Sequence, residues 1–173
     1  MFAPTPELVD PWRAVEAGCD YSGSLPLARM ARLQEALREA LGEASFRLSF
    51  SRDLEGRGIL RGEIDARLVL TCQRCLEAME VPVSLSMVLA LVSGLEEAGR
   101  LPEDLDPLLV TSEPLRLADL IEDELLLALP LIPRHEPGAC PVSHVLAAKG
   151  EERREEGPPR PFAILGELRR RGD

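Results

Sequence analysis

The sequence predicts an α+β fold: an antiparallel β-meander covered by helices, forming a single domain with extended tails. Three runs between residues 46 and 91 alternate apolar and polar side chains, the period of two that marks strands buried on one face. Two further runs, one before the strands and one after, space their apolar residues as a helix does. A hydrophobic share of 45% in 173 residues supplies a core for one domain, whereas two independent domains would be short of chain. Only 3% of residues are aromatic, so Leu, Val, Ile and Ala must fill most of that core.

The elements follow in chain order. The stretch to Tyr21 carries Pro4, Pro6 and Pro11 among scattered apolar residues, and is expected to run extended over the surface, pinned by Val9 and Trp12. Ser24 precedes Leu27, Met30, Leu33, Leu37 and Leu41, a spacing that predicts a capped amphipathic helix of about four turns closed by Gly42. Phe46, Leu48 and Phe50 alternate with Arg47, Ser49 and Ser51 and predict the first strand. After Gly56 and Gly58 the alternation resumes at Ile64, Ala66, Leu68 and Leu70, and after Cys72-Gln-Arg-Cys75 it returns at Val81, Val83, Leu85, Met87, Leu89 and Leu91. This is a meander with a cysteine-bearing tip.

Residues 96–106 form an acidic segment with Gly99 and Pro102, read as an exposed loop, and residues 108–111 add a short strand. Leu117, Leu120, Ile121, Leu125 and Ala128 then mark a helix over 117–129, with Asp119, Glu122 and Asp123 expected to face outward. Residues 1–148 are thus read as the single α+β domain. Residues 149–173 are read as a charged, Gly-Pro-rich linker followed by a short C-terminal helix opened by Pro161 and ending in Arg169, Arg170 and Arg171.

The net charge of −10 is concentrated: Glu96, Glu97, Glu103, Asp104, Asp106, Glu113, Asp119, Glu122, Asp123 and Glu124 face only Arg100 and Arg116. Broad nucleic-acid affinity comes from neutralising phosphates with cations, and this chain has no such surplus. Docking onto a basic protein is physically easy, and Glu122, Asp123 and Glu124 are the candidate partner-binding residues. A solvated helix face is the competing reading of the same three acids. They are consecutive, so they point around the helix and do not converge as catalytic carboxylates.

No basic segment leads into a signal-length apolar run, and the apolar runs near 81–92 and 125–132 are too short to span a bilayer, so a cytoplasmic protein is expected. In that reducing compartment the four cysteines pose a question of metal before one of disulfides. Cys72 and Cys75 are two residues apart, and His135 with Cys140 lies downstream. Three thiolates and an imidazole are an accepted structural zinc set, although the irregular downstream spacing leaves reduced, packed thiols as the alternative. A thiol-disulfide reading needs the pair at a helix N-terminus and would show itself by a depressed pKa and ready alkylation. Here the pair lies between antiparallel strands. Cys19 is read as a small apolar packing residue and His144 as a surface histidine. No Gly-rich phosphate loop, nucleophile elbow or zinc-protease helix motif occurs, and enzymatic activity is not expected.

Taken together, Cys72-Gln-Arg-Cys75-Leu76, the block at 117–133 (LADLIEDELLLALPLIP), His135 with Cys140, and Pro161-Phe-Ala-Ile-Leu165 resemble the YceD family of large ribosomal RNA subunit accumulation proteins. The four blocks occur in the family's order over the central and C-terminal two-thirds of the chain. The resemblance implies a non-catalytic factor that supports accumulation of large-subunit (23S) ribosomal RNA. Such a factor is expected to bind a basic large-subunit ribosomal protein or a pre-ribosomal particle. It brings no catalytic residues, and the Cys and His positions match the family pattern without deciding whether they hold metal. Pro137-Gly138, between His135 and Cys140, departs from that pattern and bends the loop toward the thiols or away from them. A zinc-stabilised adaptor outside ribosome assembly is the second reading, and a thiol enzyme the third.

Overall fold

The computed structural model describes residues 6–136 and 138–140. Its centre is a five-stranded sheet of order β2-β3-β4-β5-β6, built from β2 (Asp20–Pro26), β3 (Glu43–Arg52), β4 (Gly58–Thr71), β5 (Ala78–Val92) and β6 (Asp106–Leu109). The first four strands pair antiparallel in sequence order, as the alternation requires, and the meander over β3, β4 and β5 is the one expected. The short β6 joins β5 in parallel, which makes the sheet mixed at one edge. The helix α3 (Leu95–Ala98) lies in the crossover that this parallel pairing demands. The fold is α+β.

Alternation sorts the strands into faces. Phe46, Leu48 and Phe50 of β3 meet Leu60 and Ile64 of β4 and Met87 and Leu89 of β5 on the buried side. Arg47, Arg61 and Glu63 stand on the opposite, exposed side. Gly62 lies on the buried side, where a Cβ would come within 2.9 Å of Leu48 Cδ2 and strike the Met87 side chain. The helix α4 (Leu117–Leu127) covers this side with Leu117, Leu120, Ile121 and Leu125, all buried.

The N-terminal region departs from the expectation of an extended chain. It forms β1 (Leu8–Val9) and the helix α1 (Pro11–Ala17) before β2. The Asp10 side chain accepts from the Arg13 N–H at 3.1 Å, Pro11 occupies the first turn where no N–H is needed, and Gly18 ends the helix. The pinning residues are as expected in place: Val9 is buried and Trp12 packs against the core. A two-stranded ribbon of β1 with β7 (Leu115–Arg116) ties this region to the start of α4.

The four-turn helix expected after Ser24 is also replaced. Residues to Pro26 belong to β2, a 3-10 turn follows at Leu27–Arg29, and only α2 (Ala31–Ala36) is α-helical. Leu27, Met30 and Leu33 are buried by this shorter arrangement, whereas Leu41 is exposed. The apolar spacing is therefore real, but it is served by one turn of each kind. Leu37 returns to extended backbone, and the next residues run beside β4: Arg38 N–H donates to the Val69 carbonyl at 2.8 Å and Glu39 bridges Val69.

Among the described residues no helix is long and apolar enough to cross a membrane. His144, the linker and the C-terminal helix expected over 149–173 lie outside the described residues.

Candidate metal centre

The centre is assembled from two loops far apart in sequence. The first joins β4 to β5: Cys72 N–H donates to the Glu77 carbonyl and Leu76 N–H to the Cys72 carbonyl, both at 2.9 Å, which folds residues 72–77 into a tight knuckle. Leu76 pays for that turn with φ of 63°, a left-handed conformation that costs a non-glycine residue about 1–2 kcal/mol. The second loop follows α4 and is stitched to the first by Gln73 N–H to the Pro133 carbonyl at 2.8 Å. Gly138 turns this loop with φ of 89°, and Cys140 beyond it lies beside the other three candidate ligands.

The result is that Cys72, Cys75, His135 and Cys140 each offer a ligand atom, all within 4.8 Å of one another. His135 Nδ1 lies 3.4 Å from Cys75 Sγ, and Cys72 and Cys140 are buried. The four candidate ligands read from spacing are thus brought together as a group able to hold a metal ion. Cys19 is elsewhere, packed beside the core as expected of a small apolar residue.

The knuckle prepares one sulfur as an anion. Burial pushes the Cys72 thiol up, but the backbone N–H groups of Cys75, His135 and Arg74 and the Cys75 thiol outweigh it and bring its pKa down to about 5. Burial pushes the Cys75 thiol up, with Cys140 and Cys72 crowding it, despite the Glu77 N–H. A bound cation is the group that would let several thiolates share so small a space. A depressed pKa is also what a redox thiol requires, but Cys72 Sγ draws it from N–H groups of both loops, and Cys72 has 0% of its surface exposed.

Two residues support the knuckle, and one of them, Arg38, escaped the sequence reading. Arg38 Nη1 donates to the Leu76 carbonyl at 2.6 Å, bracing the strained turn from outside. The Pro133 carbonyl braces it from the other side. Pro133 closes the 117–133 block, whereas Arg38 carries no motif and reaches the knuckle because the chain after α2 runs along β4.

The acidic trio is distributed otherwise than expected. Glu122 does not face solvent: its relative exposure is 6%, and its Oε1 accepts the backbone N–H of Arg32 at 2.7 Å and of Leu33 at 3.0 Å. Its Oε2 accepts from Arg32 Nε and Nη2. Glu122 thereby caps α2, a helix with no side-chain cap of its own. Asp123 is exposed and shares the same guanidinium. Glu124 is half-buried, its pKa raised by burial and then by the neighbouring Asp106 and Asp123 charges. Spacing held the clue, because Glu124 falls three and four residues after Ile121 and Leu120 and so lies on the apolar side of α4.

Comparison with known proteins adds a family. The model of a family described as "Large ribosomal RNA subunit accumulation protein YceD" matches residues 60–169. The large ribosomal RNA subunit accumulation protein YceD of Haemophilus influenzae is 31% identical over 170 residues, covering 96% of this chain and 97% of that protein. No solved structure matches. The family match begins within β4 and takes in the knuckle, α4 and the second ligand loop.

Proposed function

This chain belongs to the YceD family of large ribosomal RNA subunit accumulation proteins, and from that premise we propose that it is a non-catalytic cytoplasmic factor that supports accumulation of large-subunit ribosomal RNA. The near full-length similarity to the Haemophilus influenzae protein of that name is the observation that carries the reading. It acts by binding a basic ribosomal protein or an assembly intermediate. The acidity of the chain supports this, since a net charge of −10 attracts a basic protein and repels bare phosphate.

The Cys3His group is a structural zinc site in this reading. A tetrahedral zinc with bonds of about 2.3 Å to sulfur needs ligand atoms about 3.8 Å apart, which a group gathered within 4.8 Å accommodates. When bound, zinc would neutralise the thiolates and lock the β4–β5 knuckle to the loop after α4. With three thiolates and an imidazole contributed by the chain, all four positions are filled by protein, the closed arrangement of structural sites.

Depletion of the protein tests the functional reading: the ratio of large-subunit to small-subunit ribosomal RNA should fall. An unchanged ratio with an unchanged subunit profile rejects it.

A further inference from the structure

We propose that the groove between β6 and the β1–β7 ribbon is a docking site for an extended segment of a basic protein, one that alternates apolar and cationic side chains. This rests on the proposed function and names the chemistry of its partner. Leu8 of β1, Leu108 and Leu109 of β6 and Leu115 of β7 line one cavity of about 480 Å³. Leu8 and Leu109 keep 52% and 51% exposure there, so the cavity is an open apolar groove and not a void inside the core. It runs into a smaller cavity of about 190 Å³, which shares Val110 and Glu113 with it and adds Trp12. The groove also follows a strand edge. β6 is outermost in its sheet, and no strand pairs with its other side among the described residues. Val110 N–H donates inward to the Val92 carbonyl at 2.8 Å, so by alternation the peptide groups of Leu109 turn to the outer edge.

Charge identifies the occupant. The two cavities are lined by the carboxylates of Asp10, Glu113 and Asp119 against a single cation, Arg116. Arg116 is already shared between Glu7 and Asp119, each at 3.9 Å. Asp106 opens β6, and neither it nor Glu113 joins an ion pair among the described residues. Apolar floor and acidic walls together select a segment whose apolar side chains enter the groove while its cations meet the carboxylates. A second copy fits poorly, because a two-fold interface would set the same carboxylates against each other. It would also pair β6 with itself through Pro107, which has no N–H to give. Phosphate meets the same carboxylates, so RNA is disfavoured in this groove.

The test titrates the full chain into a short fluorescent peptide alternating Val with Lys, read by anisotropy, beside a control alternating Val with Glu. The Lys peptide should bind and weaken as salt rises, and the Glu peptide should not bind. Leu109→Asp should weaken the Lys peptide about tenfold or more, and Glu113→Lys should weaken it severalfold and flatten its salt dependence. Both positions are exposed, which spares the fold. A benzophenone carried on the Lys peptide should crosslink within residues 106–116. Absence of binding, equal binding of the two peptides, indifference to both variants or crosslinks confined elsewhere would each overturn the proposal. A dimer in sedimentation that Leu109→Asp dissolves would assign the groove to a second copy, and displacement of the peptide by a single-stranded RNA oligonucleotide only in the presence of Leu109 would assign it to RNA; either overturns it too. Depletion reads ribosomal RNA and this titration reads the groove, so the functional reading and this inference fail separately.

Discussion

The carboxylate of Glu122 accepts a hydrogen bond from the backbone N–H of Leu33 at 3.0 Å, across 89 residues of sequence. With the adjacent Arg32 N–H and guanidinium it makes α4 the cap of α2, so a charged residue in the middle of one helix determines whether another, only six residues long, can form.

Replacing Glu122 by Ala leaves one buried and one partly buried N–H group without an acceptor and should cost about 2–3 kcal/mol. Thermal unfolding should fall by roughly 10 °C. Asp123→Ala, which removes only the exposed partner of Arg32, should change stability by less than about 1 kcal/mol. Charge-reversal tests of partner binding must therefore spare Glu122 and use Glu96 and Glu97 of α3 with Glu103 and Asp104 after it, all exposed.

The same carboxylate sets an acid limit. Burial raises the Glu122 pKa, but the Leu33 N–H, the Arg32 guanidinium and the Arg32 N–H together hold it below its ordinary value of 4.5. A group depressed on folding contributes stability that is present above 4.5 and lost as the pH falls through the folded value. Denaturant titrations between pH 7 and 3 should show stability falling at the acid end, and Glu122→Gln should flatten that decline.

The purified chain should carry one zinc ion, measured by elemental analysis, and His135→Ala or Cys140→Ser should lower affinity by more than about 100-fold, since even groups that only orient ligands are worth 10–100-fold. A metal-free preparation that resists chelator and denaturant as well as the original would leave the four side chains as packed thiols and a histidine.

Arg38→Ala removes a donor from the Leu76 carbonyl without touching a ligand. Zinc should be retained about tenfold less tightly against a competing chelator. Leu76→Gly relieves the left-handed backbone and should instead raise stability by up to about 1 kcal/mol, read as a higher midpoint in urea.

The meander and its cysteine tip were legible because alternation reports directly which face of a strand is buried, as at Phe46, Leu48 and Phe50. The four candidate ligands were legible from residue chemistry, with the return at Gly138 and the choice between metal and packed thiols undecided. The N-terminal helix was written in Asp10-Pro11 and Gly18, a cap, a first-turn proline and a C-terminal glycine, but three prolines in the stretch obscured it. The helix after Ser24 misled because Leu27, Met30 and Leu33 are buried at helical intervals while Pro26 and Leu37 hold extended backbone on either side. Burial of Glu122 and the reach of Arg38 depend on contacts with elements distant in sequence, which no local pattern records.

The ligand spacing also bears on the order in which the chain comes apart. Cys72 and Cys140 bracket β5, α3, β6, β7 and α4, while β1, α1, β2, α2, β3 and β4 lie outside them. An ion joining those two positions closes a ring that the denatured chain would otherwise have to close at an entropic cost of about 4 kcal/mol, by analogy with a disulfide of that span. The ring cannot open without releasing metal, whereas the amino-terminal elements can peel away with it intact. Under mild denaturant the loaded protein should lose those elements first and keep a ringed half, and the two transitions should merge once the metal is stripped.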